Sequence, residues 1–233
     1  MYLNITMSNL IEMKRTELLN LCRTNNIKGY SSKTKSELVQ MLTNVVPYVP
    51  PPPIIVPPMP ADSKFKFIDL FCGVGGFHQA LDKLGGHCVF ASDIDEYCRN
   101  IYEKNYGLRP HGDITKVDPK TIPDFDILTG GFPCQSFSHS GKKGGFGDKR
   151  GQLYENILDI ASEKKPSFMF LENVKHIKKI DNGEVFKHII SCIQITGYHV
   201  ETVELSPHQL GIPQQRERVV FICIRNDIYD ETK

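Results

Sequence analysis

Residues 65–85, FKFIDLFCGVGGFHQALDKLG, contain the transition that decides the fold. The apolar run FKFIDLF is typical of a buried β-strand. The turn CGVGG at 72–76 follows directly, and FHQALDKLG at 77–85 then has the spacing of a short helix. A strand, a glycine turn and a helix in this order predict the first unit of an α/β fold, in which backbone N–H groups approach a ligand at the start of the helix.

The same alternation continues along the rest of the chain. Strand-like segments occur at 88–92, 125–131 and 168–173, and helix-like segments at 96–105, 151–163 and 183–196. The last two apolar segments, HVETVEL and RVVFICIR, predict paired antiparallel strands. The pattern therefore predicts a doubly wound, mostly parallel α/β sheet that binds ligands at the carboxyl ends of its strands.

Composition limits the classes of protein to consider. The 233 residues are 40% hydrophobic and 24% charged, with a net charge of +1, which is typical of a globular protein without a strongly basic surface. No window approaches the ~20 apolar residues that span a bilayer, and the N-terminus lacks a signal-peptide pattern. Seven cysteines without C-x2-C spacing predict a reduced, intracellular protein with no zinc or other metal site.

A proline-rich segment marks a domain boundary. Eight of the fourteen residues at 47–60 are proline, which predicts a stiff polyproline II spacer. We expect three parts: a small helical module at 1–46, a linker at 47–62 and a main domain at 63–233.

The N-terminal module has the pattern of two short helices. Their apolar residues follow the i, i+3, i+4 spacing of a helix face: Leu18, Leu21 and Cys22, then Leu38, Met41, Leu42 and Val45. Gly29 is a candidate helix stop, and Thr34 with Glu37 forms a capping-box pattern. The segment carries a local excess of positive charge and resembles the SAP-type helix–extended–helix module, which implies DNA binding. A helical hairpin for protein contact is the equal alternative.

Features at successive strand ends predict an adenosine site. Glycines 73, 75 and 76 form the first turn, Asp93 follows the second strand and Asp113 follows the next unit. A carboxylate at the end of the second strand accepts hydrogen bonds from ribose hydroxyls, and Asp113 would accept from an adenine amino group. His78 stands where the pyrophosphate fingerprint requires its third glycine, which favours S-adenosylmethionine over NAD.

Cys134 follows the strand FDILTGG and therefore opens into the same crevice. A cysteine thiolate is a strong nucleophile, and Pro133 sets the turn before it. The glycine-rich stretch after it, with Lys142, Lys143 and Arg150, predicts a basic lid over a phosphate backbone.

Glu172 ends the next strand, where a carboxyl group could donate a proton to a heterocycle nitrogen. Arg216 and Arg218 precede the last strand and could anchor that carboxylate or a base. For these arginines, an exposed ion pair is the alternative role.

FIDLFCGVGGFHQAL, GGFPCQSFS, ENV and QQRER, in this order, resemble the conserved blocks of the cytosine-5 DNA methyltransferases. The resemblance runs from about residue 64 to 226 and implies a Rossmann-like, S-adenosylmethionine-dependent methyltransferase acting on cytosine in double-stranded DNA. It implies that Cys134 adds to carbon 6 of a flipped cytosine, that Glu172 protonates or hydrogen-bonds ring nitrogen 3, and that Arg218 supports the base and Glu172.

The resemblance also implies two sets of binding residues. The cofactor set is Phe71, Gly73, Gly75, Gly76, Asp93, Ile94, Asp113, Ile114 and Pro133. The DNA set is Gln135, Ser138, Ser140, Lys142, Lys143 and Arg150. Ile94 stands where the family often has an aromatic residue, so we expect weaker stacking on adenine.

The sequence also differs from the family in extent. Neither a target-recognition region nor a C-terminal Gly-Asn-Ser-type block is present. We therefore expect one of three situations: a second chain supplies the missing parts, the protein is a minimal enzyme that works without them, or it has lost activity. Methylation of transfer RNA is an alternative, although that branch usually has Pro-Phe-Thr after Cys-Gln and this chain has Ser-Phe-Ser. A non-catalytic DNA-binding or regulatory subunit is the other alternative.

Overall fold

The computed structural model describes residues 10, 13–24, 27–45, 54, 58–133 and 152–229. The chain forms two compact units, Met1–Pro53 and Ile54–Lys233. Most of the predicted linker at 47–62 lies outside the described residues, so its extent stays a prediction.

The N-terminal unit contains the two expected helices, α1 (Arg15–Thr24) and α2 (Lys35–Val45). Leu18 and Cys22 pack against Leu38 and Leu42, and all four are fully buried. At the start of α2, the backbone N–H of Thr34 donates to Glu37 Oε2 at 2.8 Å, and the backbone N–H of Glu37 donates to Thr34 Oγ1 at 3.4 Å. The predicted capping box therefore forms. Gly29 is not the helix stop, because helix α1 already ends at Thr24, five residues earlier. Gly29 has a positive φ of 75° and lies in the turn between the two helices.

The larger unit is built on one six-stranded sheet. Its strands are β1 (Phe65–Leu70), β2 (Gly86–Ser92), β3 (Ile127–Gly131), β4 (Phe168–Val174), β5 (Tyr198–Leu205) and β6 (Arg218–Arg225). Their order is β2-β1-β3-β4-β6-β5. The first four are parallel, while β6 is antiparallel to both β4 and β5. This arrangement confirms the mostly parallel sheet and the antiparallel final pair.

Among the described residues, four α-helices lie between the strands: α3 (Gly76–Asp82), α4 (Glu96–Tyr106), α5 (Gln152–Lys164) and α6 (Glu184–Ile195). Because successive strand residues point to opposite faces, β1 contributes to two cores. Ile68 packs with residues of α5 and α6, whereas Phe67 packs with Leu81 of α3 and Tyr102 of α4. Helices therefore lie on both faces, as expected of a doubly wound fold. Among the described residues, no helix has the length and apolar character needed to cross a membrane.

The segment between β4 and α6 contains structure that the sequence pattern did not predict. Residues Lys175–Gly183 form 3₁₀ turns, interrupted where Asp181 and Asn182 adopt positive φ angles of 49° and 53°. Aspartate and asparagine tolerate this region better than most residues, so the chain can reverse there and enter α6 at Gly183.

One face of the sheet is only partly covered by the described residues. Phe67 of β1 is fully buried there, whereas Phe168 of β4 is 37% exposed. Phe170, Ile222 and Ile224 on the same face are half-buried and belong to neither hydrophobic core. Helices α3 and α4 thus cover the β1–β2 side of this face and leave apolar side chains on β4 and β6 accessible.

Candidate active site

The predicted site residues collect at one edge of the sheet. Parallel strands place their carboxyl ends together, so Phe71 after β1, Asp93 after β2 and Pro133 after β3 lie on the same edge as Glu172 of β4. Strand β6 runs in the opposite direction, and therefore its first residue, Arg218, reaches the same edge.

Asp93 is hydrogen-bonded to the glycine turn. Its Oδ2 accepts from the backbone N–H of Gly73 at 2.8 Å, and its Oδ1 accepts from the N–H of Asp95 at 2.8 Å. Phe71 and Gly73, each with a φ of 54°, and Gly75, with a φ of 93°, give the turn its shape. Each carboxylate oxygen keeps a further lone pair. Asp93 can therefore hold the turn and still accept from a ligand hydroxyl.

The space above the turn is open. A Cβ added at Gly73 or Gly76 would meet no atom within 4 Å, whereas one at Gly75 would lie 2.2 Å from the ring of Tyr106. Gly73 and Gly76 therefore border space that a ligand can enter, and Gly75 packs against the protein.

Asp113, the other predicted acidic ligand, takes part mainly in local structure. Asp113 Oδ1 accepts from the backbone N–H of Thr115 at 3.1 Å and from its Oγ1 at 2.7 Å. Burial raises the pKa of Asp113, but bonds from Thr115 and Lys116 outweigh it and leave the pKa below its ordinary value. The side chain of Ile114 is 5% exposed and packs in the core, so only its backbone is available to a ligand. Ile94 is 75% exposed.

Glu172 and Arg218 form a direct ion pair. Nε of Arg218 lies 2.5 Å from Oε1 of Glu172, and both side chains are largely shielded, at 20% and 28% exposure. A Cβ on Gly131 would lie 3.4 Å from Glu172 Oε2, so this carboxylate borders the end of β3. Arg216 is exposed, and its backbone N–H donates to Ser206 Oγ at 3.2 Å. Of the two predicted arginines, Arg218 is the one that contacts the carboxylate.

Asn173 is a residue of this edge to which sequence reasoning assigned no role. Its side chain is 2% exposed, and Nδ2 donates to the backbone oxygen of Phe132 at 2.9 Å. Its Oδ1 accepts from the N–H of Val174 at 2.8 Å. Asn173 therefore ties β4 to the segment immediately before Pro133. No local pattern marked Asn173, because its partner Phe132 lies 41 residues away in sequence.

Asp69, the next-to-last residue of β1, is a second residue that the sequence did not single out. It is 1% exposed, and its Oδ1 accepts from Thr129 Oγ1 at 2.9 Å. Burial raises the pKa of this carboxyl group to about 8, although the bond from Thr129 opposes the shift. The acid lies beneath the glycine turn, inside the sheet.

Several predicted residues fall outside the described ranges. They are Cys134, Gln135, Ser138, Ser140, Lys142, Lys143 and Arg150. Pro133, directly before Cys134, is described and half-buried at the end of β3.

Comparison with known proteins agrees with this arrangement. Residues 65–233 match the model of the C-5 cytosine-specific DNA methylase family. The chain belongs to this family. It is 48% identical over 163 residues to the type II methyltransferase M.HhaI of Haemophilus parahaemolyticus, a match that covers 70% of this chain and 50% of the relative. It is also 48% identical over 164 residues to M1.ScrFI of Lactococcus lactis subsp. cremoris, covering 69% and 41%. The chain thus spans about half the length of the curated relatives it matches.

Solved structures give the same family fold. The Schizosaccharomyces pombe Dnmt2 methyltransferase superposes with a TM-score of 0.60 at 27% identity, covering 72% of this chain and 53% of its own. The predicted family and the predicted methyltransferase fold are therefore confirmed.

Proposed function

We propose that this chain is the cofactor-binding and catalytic half of a DNA cytosine-5 methyltransferase. The observation that carries the proposal is the Glu172–Arg218 ion pair at the sheet edge, beside the strand end that leads to Cys134. The glycine turn and Asp93 lie on the same edge, so a cofactor held there would lie on the same side of the sheet as a base held by Glu172. The match covers 50% of the length of M.HhaI. For this reason we propose the DNA substrate and the partner polypeptide from the residues of this chain.

The described residues fit S-adenosylmethionine. Asp93 would accept from the ribose hydroxyls, Phe71 would stack on adenine, and Gly73 and Gly76 border open space for the methionine portion. Asp113 and Ile94 would complete the adenine side. When bound, S-adenosylmethionine supplies an electrophilic methyl group.

The protein's own residues would activate the base. The thiolate of Cys134 would form a bond to carbon 6 of cytosine, while Glu172 donates a proton or hydrogen bond to ring nitrogen 3. Carbon 5 then carries the electron density that takes the methyl group. Loss of the carbon 5 proton to a base and cleavage of the sulfur–carbon bond would release the product. Because ring faces in a duplex are covered, the cytosine must be extrahelical.

Arg218 would act through Glu172. Its guanidinium holds the carboxyl group beside Gly131 at a separation of 2.5 Å from Oε1. In this position it can compensate charge on Glu172 and on the polarised base as the thiolate adds.

DNA contacts would come from two regions. The segment after Pro133 contributes Gln135, Ser138, Ser140, Lys142, Lys143 and Arg150. The N-terminal unit, proposed as SAP-like, contributes exposed basic residues. Arg15 bonds to the carbonyl of Lys33, and Lys33 pairs with Glu37. The exposed basic side chains Arg23, Lys28 and Lys35 are therefore the candidates for phosphate contact.

A second polypeptide would complete the enzyme. Phe168, Phe170, Ile222 and Ile224 form an accessible apolar face that runs along β4 and β6 toward the Glu172–Arg218 pair. Exposed apolar sheet faces are normally covered by another layer. We propose that polypeptide equivalent to the unmatched half of the relatives packs on this face and supplies target recognition.

Methyl transfer tests the function directly. The chain would be co-expressed with the C-terminal half of M.HhaI and given labelled S-adenosylmethionine with duplex DNA or transfer RNA. We expect label in DNA and none with Cys134→Ser. Label in transfer RNA alone would support the RNA reaction instead, and cofactor binding without transfer to either would support a regulatory subunit.

Two variants test the supporting proposals. Ile222→Glu places a charge on the apolar face and should abolish complex formation with the added half, measured by size-exclusion chromatography. Ile195→Glu, at an exposed residue of α6, is the control.

Deleting residues 1–60 should weaken DNA binding and reduce its salt dependence. Unchanged binding would contradict a DNA-binding role for the N-terminal unit.

A further inference from the structure

An aromatic cluster underlies the glycine turn. Tyr106, the last residue of α4, donates from its hydroxyl to the backbone oxygen of Gly75 at 2.9 Å. Its ring lies so close that a Cβ on Gly75 would be 2.2 Å from Cε2. The tyrosine therefore contacts the turn through both its hydroxyl and its ring.

Neighbouring rings fix the position of Tyr106. The ring of His78 is stacked on it with centroids 3.8 Å apart and planes inclined by 15°. His78 is 7% exposed, and its Nδ1 lies 2.6 Å from the hydroxyl of Tyr102, which is fully buried. Tyr102 in turn packs edge-on against Tyr106 with centroids 4.8 Å apart. A ring held on two sides has little freedom to withdraw from Gly75.

The hydroxyl of Tyr106 is suited to donate. Burial raises the pKa of Tyr106, and nearby Asp69 raises it further, so the hydroxyl keeps its proton at neutral pH. The Gly75 oxygen also accepts from the backbone N–H of Gln79 at 3.0 Å, at the start of α3. One carbonyl thus joins the turn, the first turn of α3 and the end of α4.

We propose that Tyr106 is a positioning residue that sets the shape of the glycine turn and thereby the affinity for S-adenosylmethionine. The inference rests on the proposed function, because it assumes that this turn receives the cofactor. Asp93 holds Gly73 from the β2 side and Tyr106 holds Gly75 from the α4 side. Tyr106 is separated from any ligand by the turn, so it acts on binding and not on the chemical step.

The test removes one hydroxyl and keeps the ring. Tyr106→Phe preserves the packing against His78 and Gly75 but loses the bond to the Gly75 oxygen. We expect the Kd for S-adenosylmethionine, measured by calorimetry on the full chain, to rise about 3- to 10-fold, the range of a single neutral hydrogen bond. In the complemented enzyme, KM for the cofactor should rise by a similar factor while kcat stays unchanged.

Tyr229→Phe is the matched control. Tyr229 stacks on His199 with centroids 3.6 Å apart, away from the turn, and its substitution also deletes one tyrosine hydroxyl. The control should leave both Kd and KM unchanged. Equal affinities in wild type and Tyr106→Phe would overturn the inference, as would a fall in kcat without a change in KM.

Amide hydrogen exchange separates this inference from the proposed function. Without cofactor, Tyr106→Phe should exchange faster than wild type at residues 73–79, and Tyr229→Phe should not. If the wild type binds no S-adenosylmethionine, the proposed cofactor is wrong, and the exchange rates still decide whether Tyr106 holds the turn. Unchanged exchange at residues 73–79 would overturn that role.

Discussion

Nε of Arg218 lies 2.5 Å from Oε1 of Glu172, although 46 residues (218 − 172) separate them in sequence. The contact arises because β6 runs antiparallel to β4 and pairs Arg218 with Val174. An arginine at the start of one strand therefore meets a carboxylate near the end of its neighbour.

Substitution of Glu172 should separate chemistry from binding. Glu172→Gln keeps the size of the side chain but can neither form the ion pair with Arg218 nor transfer a proton to the base. We expect kcat of the complemented enzyme to fall by about 10²- to 10⁴-fold, the usual contribution of a general acid, with little change in cofactor Kd. The control is Glu217→Gln, since Glu217 is exposed and pairs with Lys175 at 2.9 Å. A loss of kcat below fivefold in Glu172→Gln would contradict the role.

Loss of the Asn173 amide should destabilise the larger unit. Asn173→Ala leaves the Phe132 oxygen and the Val174 N–H without their partner. Buried polar groups left unsatisfied cost about 1–3 kcal/mol each, so we expect a comparable fall in the free energy of unfolding in urea. Asn226→Ala, directly after β6, supplies a comparison in which the amide is exposed and the backbone φ is not positive. A change below about 0.5 kcal/mol in Asn173→Ala would mean that the segment before Pro133 is held by other contacts.

Asp69 should make stability depend on pH. Burial raises the pKa of Asp69 to about 8 in the folded protein, whereas the pKa of an aspartate in an unfolded chain is about 3.9. The folded state therefore keeps a proton that the unfolded state loses, and this contribution to stability is full below about pH 4 and is lost as pH rises toward 8. Asp69→Asn cannot ionise, so its free energy of unfolding, relative to that of wild type, should rise by about 3–4 kcal/mol between pH 5 and 8.

Urea denaturation at several pH values measures this difference. Asp124→Asn is the control, since the Asp124 side chain is 94% exposed. Parallel pH profiles for wild type and Asp69→Asn would show that Asp69 is ionised in the folded protein and would contradict the prediction.

Two adjacent glycines should respond differently to alanine. Gly75 has a φ of 93° and packs against Tyr106, whereas Gly76 begins α3 and has no neighbour within 4 Å of an added Cβ. The left-handed conformation alone costs an alanine about 1–2 kcal/mol, and the contact with Tyr106 adds to this. We expect Gly75→Ala to lower the melting temperature strongly and Gly76→Ala to leave it within a few degrees. Equal melting temperatures would mean that the turn can rearrange.

The order of the elements was readable from the sequence because each has a local pattern. The apolar run at 65–71 and the glycines after it predict a strand and a turn, and the structure begins and ends β1 within one residue of that run. The 3₁₀ segment at Lys175–Gly183 was missed, since its short turns are interrupted by Asp181 and Asn182 at positive φ, which no sequence period predicts. Conserved blocks also indicated the family, which the comparison confirms.

The contacts within the site were only partly predictable. Asp93 was expected at a strand end, but its bond to Gly73 joins the segments that follow two different strands. The residue pattern alone left both Arg216 and Arg218 as candidates, the family resemblance favoured Arg218, and the pairing of β6 with β4 brings Arg218 to Glu172. Asn173 and Tyr106 carried no signal of their own, because their partners Phe132 and Gly75 are 41 and 31 residues away.

The sequence by itself determined the α/β class, the glycine turn and the chemical types available at the strand ends, since these follow from hydrophobic period and turn residues over short distances. Only the tertiary structure decided which side chains meet, because strand order and direction bring distant residues to one edge. The Glu172–Arg218 pair and the Tyr106–Gly75 bond both follow from this packing, and neither can be read from the spacing of residues along the chain.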